Sequence, residues 1–257
     1  MLESSLYSDP GRGVPGRRKP RVLSGSVRTF TGTVFRMDIE PAWLQPTFFI
    51  DSDDLAVVAY ADEAAGDATD DTEVAIRLFH AVRDGLRYDP YTLSREPESF
   101  KASAVAEAAS SWCVPKSVLL TATARAKGIP ARLGFADVKN HLTSAKLRDS
   151  METSLFVWHG YSELLLDGRW FKLSSAFNIE LCERFGTKVL EFDGTADALM
   201  HPFDAAGKRH MEYVNQRGSF DDLPLDQIQA TFDEVYGDST VTAGSVSAAE
   251  AGDDAFS

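Results

Sequence analysis

The chain has 257 residues, 44% of them apolar and 25% charged, with a formal net charge of −13 at neutral pH. That length can bury a real core, the composition is that of a globular protein, and the acidic balance argues against nucleic acid as a main partner. No apolar run approaches the roughly 20 residues that span a bilayer. The start, MLESSLYSDPGRG, lacks the apolar heart of a signal peptide, so a cytoplasmic protein without membrane attachment is expected.

Residues 1–25 are rich in Gly, Pro, Ser and Arg without periodicity and read as an irregular or disordered arm. Arg12, Arg17, Arg18, Lys19, Arg21 and Arg28 make this start basic, whereas no Lys or Arg follows Asp233. Residues 26–36 (SVRTFTGTVFR) alternate roughly, as a strand does, and open a domain expected to run over 26–236. PAWLQPTFFIDSDD is a proline-punctuated connector ending near a helix cap. Val74, Ile76, Leu78, Phe79, Val82 and Leu86 have mostly helical spacing after the caps Asp70 and Asp71. His80 within that helix reads as structural or exposed. RYDPYTLSREPES is a loop, ARLGFADV a strand, and residues 139–152 a polar loop. NIELCERFG suggests a helical turn and PLDQIQATFDEVYG a short helix. The small-residue acidic tail, 237–257, is expected to be disordered.

The segment SSWCVPKSVLLTATARAKGIP concentrates the chemistry. Pro115 fits only the first turn of a helix, Gly128 fits just past its end, and Pro130 forbids continuation. The helix is therefore predicted from about Val114 to Lys127, with Cys113 at its N-terminus. Unpaired N–H groups and the helix dipole there favour the thiolate, the reactive form. The same N–H groups can hold an oxyanion.

A base is found on a hairpin. Asp167–Gly168 between two apolar-rich runs predicts a two-residue turn that pairs Leu166 with Arg169. Counting outward sets Tyr161 opposite Ser174 and His159 opposite Ala176, so His159, Tyr161 and Glu163 share a face with Ser174. A thiol–imidazole pair needs a third group to hold the ring. Ser174, diagonal to His159, and Asn178, just past the strand, are the two candidates.

LRYDPY, SSWCVPKSVLLTATARAKGIPARLGFADV and VWHGYSELLLDGRWFKLSSAFN together resemble the transglutaminase-like superfamily over about residues 84–178. The resemblance implies an α+β, papain-like/transglutaminase-like core in which a Cys-bearing helix packs on an antiparallel sheet bearing the His. It places Cys113 on the family's nucleophile and His159 on its general base. It implies acyl transfer to an amine, or amide or ester hydrolysis, through a thioester, with a protein, peptide or small amide/ester as substrate and no cofactor. The family's usual Asp is absent: the corresponding position is Ser174, and no Asp occurs between Trp170 and Asn178. Ser174 or Asn178 takes its place, and the chemistry is expected to be slower because a neutral group stabilises an imidazolium less than a carboxylate does. The alternative is a non-catalytic interaction module that keeps the fold without the acid.

Four more residues are candidates for binding substrate. Trp112 adjoins the nucleophile, Tyr161 shares the His159 face, His141 lies on the polar loop, and Asp137 precedes that loop. Cys182 reads as a small buried hydrophobe. Cys113, His141, His159 and Cys182 match no compact zinc-ligand spacing, DSDD at 51–54 lacks the later ligands of a calcium loop, and no phosphate-cradling glycine loop is present.

Overall fold

The computed structural model describes residues 39–140, 154–199 and 211–237, all within the unit Met37–Ser257. The N-terminal arm, the expected strand 26–36, His141 with most of its loop, and the tail beyond Gly237 lie outside the described residues.

After a 3-10 turn at Pro41–Trp43, two α-helices follow. α1 (Leu55–Ala65) is capped by the Asp54 carboxylate, which accepts the Ala56 N–H. α2 (Asp71–Gly85) is capped by Asp70, which accepts the Thr72 and Glu73 N–H groups at 3.1 Å each. The stretch predicted as a loop then contains β1 (Arg87–Tyr88) and two short 3-10 turns, Pro90–Thr92 and Pro97–Phe100. α3 (Ala102–Ala106) follows, and β2 (Ser110–Ser111) pairs in parallel with β1.

α4 (Cys113–Ala126) is the hub. It contacts α1, α2, α3, β3 and β4, and every residue from Cys113 to Arg125 is buried. A helix with no water-facing side has to satisfy its own polar side chains. Lys116 Nζ donates to the carbonyls of Arg83 (2.9 Å) and Leu86 (2.6 Å) at the end of α2. Ser117 Oγ donates to the Val114 carbonyl, and Thr121 Oγ1 to Ser162 Oγ. The Arg125 guanidinium ties together the carbonyls of Gln45, Ala131 and Asp221. Burial lowers the Lys116 amine to about 7.

The strands β3 (Ala131–Asn140), β4 (Leu155–Leu166), β5 (Arg169–Leu173) and β6 (Met211–Phe220) form an antiparallel sheet in the order β5-β4-β3-β6. Leu166 pairs with Arg169 and Ser162 with Leu173, the register expected from the Asp-Gly turn, where Gly168 has φ +81°. α5 (Ile179–Phe185) follows the hairpin, and α6 (Leu225–Tyr236) closes the described chain. The architecture is α+β, with the Cys-bearing helix packed on the antiparallel sheet. No helix among the described residues is long and apolar enough to cross a membrane.

Candidate active site

Cys113 is the first residue of α4, held there because Pro115 in the first turn needs no N–H partner. The backbone N–H groups of Gly160, Val114 and Cys113 itself lie near enough to the thiol to pull its pKa down. The Gly160 donor ties the site to β4, one residue beyond His159. That approach requires a glycine. A Cβ at position 160 would lie 2.8 Å from Ser117 Oγ, 3.1 Å from Val114 Cα and 3.3 Å from the Cys113 carbonyl oxygen.

Burial pushes the thiol's pKa up to about 11, outweighing these three N–H groups, which lower it. Cys113 is 8% exposed. Burial thus works against the dipole-stabilised thiolate expected from the helix start. A helix dipole supplies about 0.3–2 kcal/mol near its end, less than the several kcal/mol it costs to bury an ion.

His159 is 5% exposed, and burial lowers its imidazole to about 4. Its Nε2 lies 3.4 Å from Ser174 Oγ, the diagonal partner given by the hairpin register. With Nε2 on the serine, Nδ1 is the nitrogen left for a thiol. No hydrogen bond joins Cys113 to His159. The Tyr213 ring packs edge-on against the imidazole at 6.2 Å.

Asn178 does not orient the ring. Its Oδ1 accepts the Tyr88 N–H at 3.0 Å, its Nδ2 donates to Glu180, and the residue stands at the start of α5. Trp112 is buried between Phe100 and Phe232, with ring centroids 6.0 and 6.1 Å away. Tyr161 lies over Gly134, and its hydroxyl donates to Gln216 Oε1. Asp137 accepts hydrogen bonds from the Trp158 N–H, Asn215 Nδ2 and Arg217 Nε. Burial alone would raise its carboxyl, but these donors hold it below the usual carboxylate range. Cys182 is buried in α5.

Two tyrosines within electrostatic reach of the thiol escaped the sequence reading. Burial, and then the charge of a Cys113 thiolate, raise the Tyr88 and Tyr236 hydroxyls above the ordinary phenol range. Tyr236 Oη also accepts the Val157 N–H at 2.8 Å and donates to the Leu155 carbonyl at 3.0 Å, pinning α6 to the start of β4. Tyr88 lies within the LRYDPY motif, whereas nothing in the helical pattern of 225–236 marks Tyr236. Gly160 carried a signal: a glycine inside a strand often marks a close backbone approach.

Residues 58–175 match the family model of the transglutaminase-like superfamily. These residues form a transglutaminase-like core. The match spans α1 to Ser175 and so contains Cys113, His159 and Ser174. A solved structure from Cytophaga hutchinsonii, described as a candidate cysteine protease, aligns with 15% identity and a TM-score of 0.40. The alignment covers 69% of this chain and 53% of that one, so the chain spans about half the length of that structure. Comparison with curated proteins finds no match. Among the described residues of the transglutaminase-like core and its surroundings, no cluster of three or more His, Cys, Asp or Glu side chains is placed to hold a metal ion.

Proposed function

We propose that this chain is a cysteine-nucleophile enzyme that transfers or hydrolyses acyl groups through a Cys113 thioester, with His159 as general base and Ser174 holding the ring. The observation that carries the reading is the close approach of the Cys113 end of α4 to Gly160, the residue after His159, where a Cβ would lie 3.3 Å from the Cys113 carbonyl oxygen, while His159 Nε2 faces Ser174.

Both groups rest neutral, so the proton moves during attack. As Sγ bonds to the substrate carbonyl carbon, its proton passes to His159 Nδ1, and the carbonyl oxygen becomes an oxyanion. The N–H groups of Cys113, Val114 and Gly160, which lie near the sulfur, stabilise the negative charge that gathers on that oxygen. The imidazolium then gives its proton to the leaving amine or alkoxide, and a thioester remains. Water or an amine attacks the thioester and loses a proton to the imidazole. The imidazolium returns that proton to the departing Cys113 sulfur. Ser174 orients the ring without offsetting its positive charge, so turnover is slower than with a carboxylate in that place.

The second reading is a non-catalytic interaction module. The buried, protonated thiol and the hydroxyl in place of an acid favour it. A thiol-directed activity probe followed by peptide mass spectrometry separates the two. The enzyme reading expects labelling at Cys113 of the folded chain, loss of turnover in Cys113→Ala, and a product that changes when amines are added. Labelling of Cys113 only after unfolding, over the whole pH range, would leave the module. The substrate expected is a protein, peptide or small amide or ester.

A further inference from the structure

We propose that Asp137 and Arg217 are positioning residues for His159, acting through a strained bulge at Trp158. The proposal rests on the reading of His159 as the base. Ala136 pairs with His159 and Val138 with Phe156, so two steps along β3 match three along β4. The extra residue lies at Val157–Trp158, and Trp158 has φ +59°, a left-handed conformation that a bulky side chain rarely adopts. A residue in this conformation persists only where its surroundings hold it.

The holding groups converge from two strands. Asp137 accepts the Trp158 N–H at 3.1 Å. Arg217 donates from Nε to the same carboxylate, and its guanidinium carbon lies 4.6 Å over the Trp158 ring. Arg217 stands at a second bulge: Phe135 pairs with Gly218 but Ala136 with Gln216, which leaves Arg217 as the extra residue. The chain therefore closes a loop. The Trp158 ring packs under Arg217, Arg217 binds Asp137, and Asp137 binds the Trp158 N–H. Phe135 and Phe220 pack on the same indole at 5.3 and 5.9 Å. The Trp158–His159 peptide is the backbone on which the imidazole is mounted. Without the loop, Trp158 relaxes toward ordinary strand geometry, the peptide swings, and the ring leaves Ser174.

The test follows Cys113 alkylation by iodoacetamide, read by peptide mass spectrometry, against pH. When a neighbouring base takes the thiol proton, the rate changes little with pH; a thiol without one labels about tenfold faster per pH unit. The wild type is expected to be nearly flat between pH 6 and 9 and His159→Ala to rise steeply. Asp137→Ala and Arg217→Gln are expected to follow His159→Ala. Asp137→Asn keeps an acceptor for the Trp158 N–H and is expected to restore a flatter profile. A flat profile in both Asp137→Ala and Arg217→Gln overturns the proposal. Should Asp137→Ala fail to fold, Arg217→Gln carries the test, because Arg217 is partly exposed on the edge strand. A steep profile in the wild type itself refutes the base reading instead. The ¹⁵N shifts of the His159 ring then decide the positioning: unchanged shifts in Asp137→Ala and Arg217→Gln overturn it, and shifts that move in both uphold it.

Discussion

Gly160→Ala tests whether the contact between α4 and β4 is as close as the chemistry requires. The added methyl group meets Ser117 Oγ at 2.8 Å, and that hydroxyl is already bonded to the Val114 carbonyl at 2.7 Å. The other two neighbours, Val114 Cα at 3.1 Å and the Cys113 carbonyl at 3.3 Å, are backbone and cannot rotate away. α4 is enclosed by three helices and two strands, so it has little room to retreat. Overpacking of this kind costs about 1–3 kcal/mol. For a chain of this size each kcal/mol shifts the midpoint by about 2–4 °C, which gives a fall of roughly 2–12 °C. Thermal unfolding by circular dichroism reads this directly. Adding Ser117→Ala removes the hydroxyl contact and is expected to recover only part of the loss, since the backbone contacts remain. The same displacement draws the residue-160 N–H from the sulfur, so probe labelling of Cys113 falls with stability. A midpoint within about 1 °C of wild type, against that expected fall, would refute the close approach.

Three further predictions concern the surroundings of the site. Burial lowers the His159 imidazole from 6.5 to about 4, so below pH 6.5 the unfolded chain takes up a proton that the folded chain refuses. Stability is therefore expected to fall as pH drops from 6.5 to 4, by on the order of 3 kcal/mol from this group, and urea melts of wild type and His159→Gln at pH 7 and 4.5 check it. Tyr236→Phe leaves the buried Val157 N–H without its acceptor and is expected to cost about 1–3 kcal/mol in urea unfolding. Arg132→Ala removes the guanidinium 2.7 Å from the buried Glu163 carboxylate and 4.2 Å over the Trp170 ring. With Lys172 3.9 Å from that carboxylate as partial compensation, the loss in urea unfolding is expected to be about 2–4 kcal/mol.

The parts of this fold legible in the sequence are those set by local rules. Pro115 and Gly128 bracket α4 to within a residue, since each fixes a backbone condition that neighbouring residues do not override. Asp167–Gly168 gave the hairpin its register and thereby put Ser174 beside His159. The edge strand β6 was invisible because MEYVNQRGSF is mostly polar and half-exposed, with two bulges that break any alternation. Asp137 read as a residue of the cleft because its neighbours along the chain lead there. Its partners Trp158, Asn215 and Arg217 come from two other strands, and pairing across bulges leaves no periodic trace. The upward pull of burial on the thiol was not legible for a similar reason: a helix start is a local feature, whereas burial depends on everything packed around it.

The enclosure of α4 also has a kinetic meaning. Amide hydrogens exchange either through local fraying or through opening of the surrounding fold. Cys113 to Arg125 are buried against α1, α2, α3, β3 and β4, so fraying cannot reach them. From Lys116 onward, where the helix hydrogen bonds begin, its amides are expected to be among the last to exchange. Cys113 is thus expected to sit at the start of a slowly opening part of the molecule. Motion near Cys113 is then left to the elements around the helix, among them α6, which the Tyr236 hydroxyl pins to the start of β4.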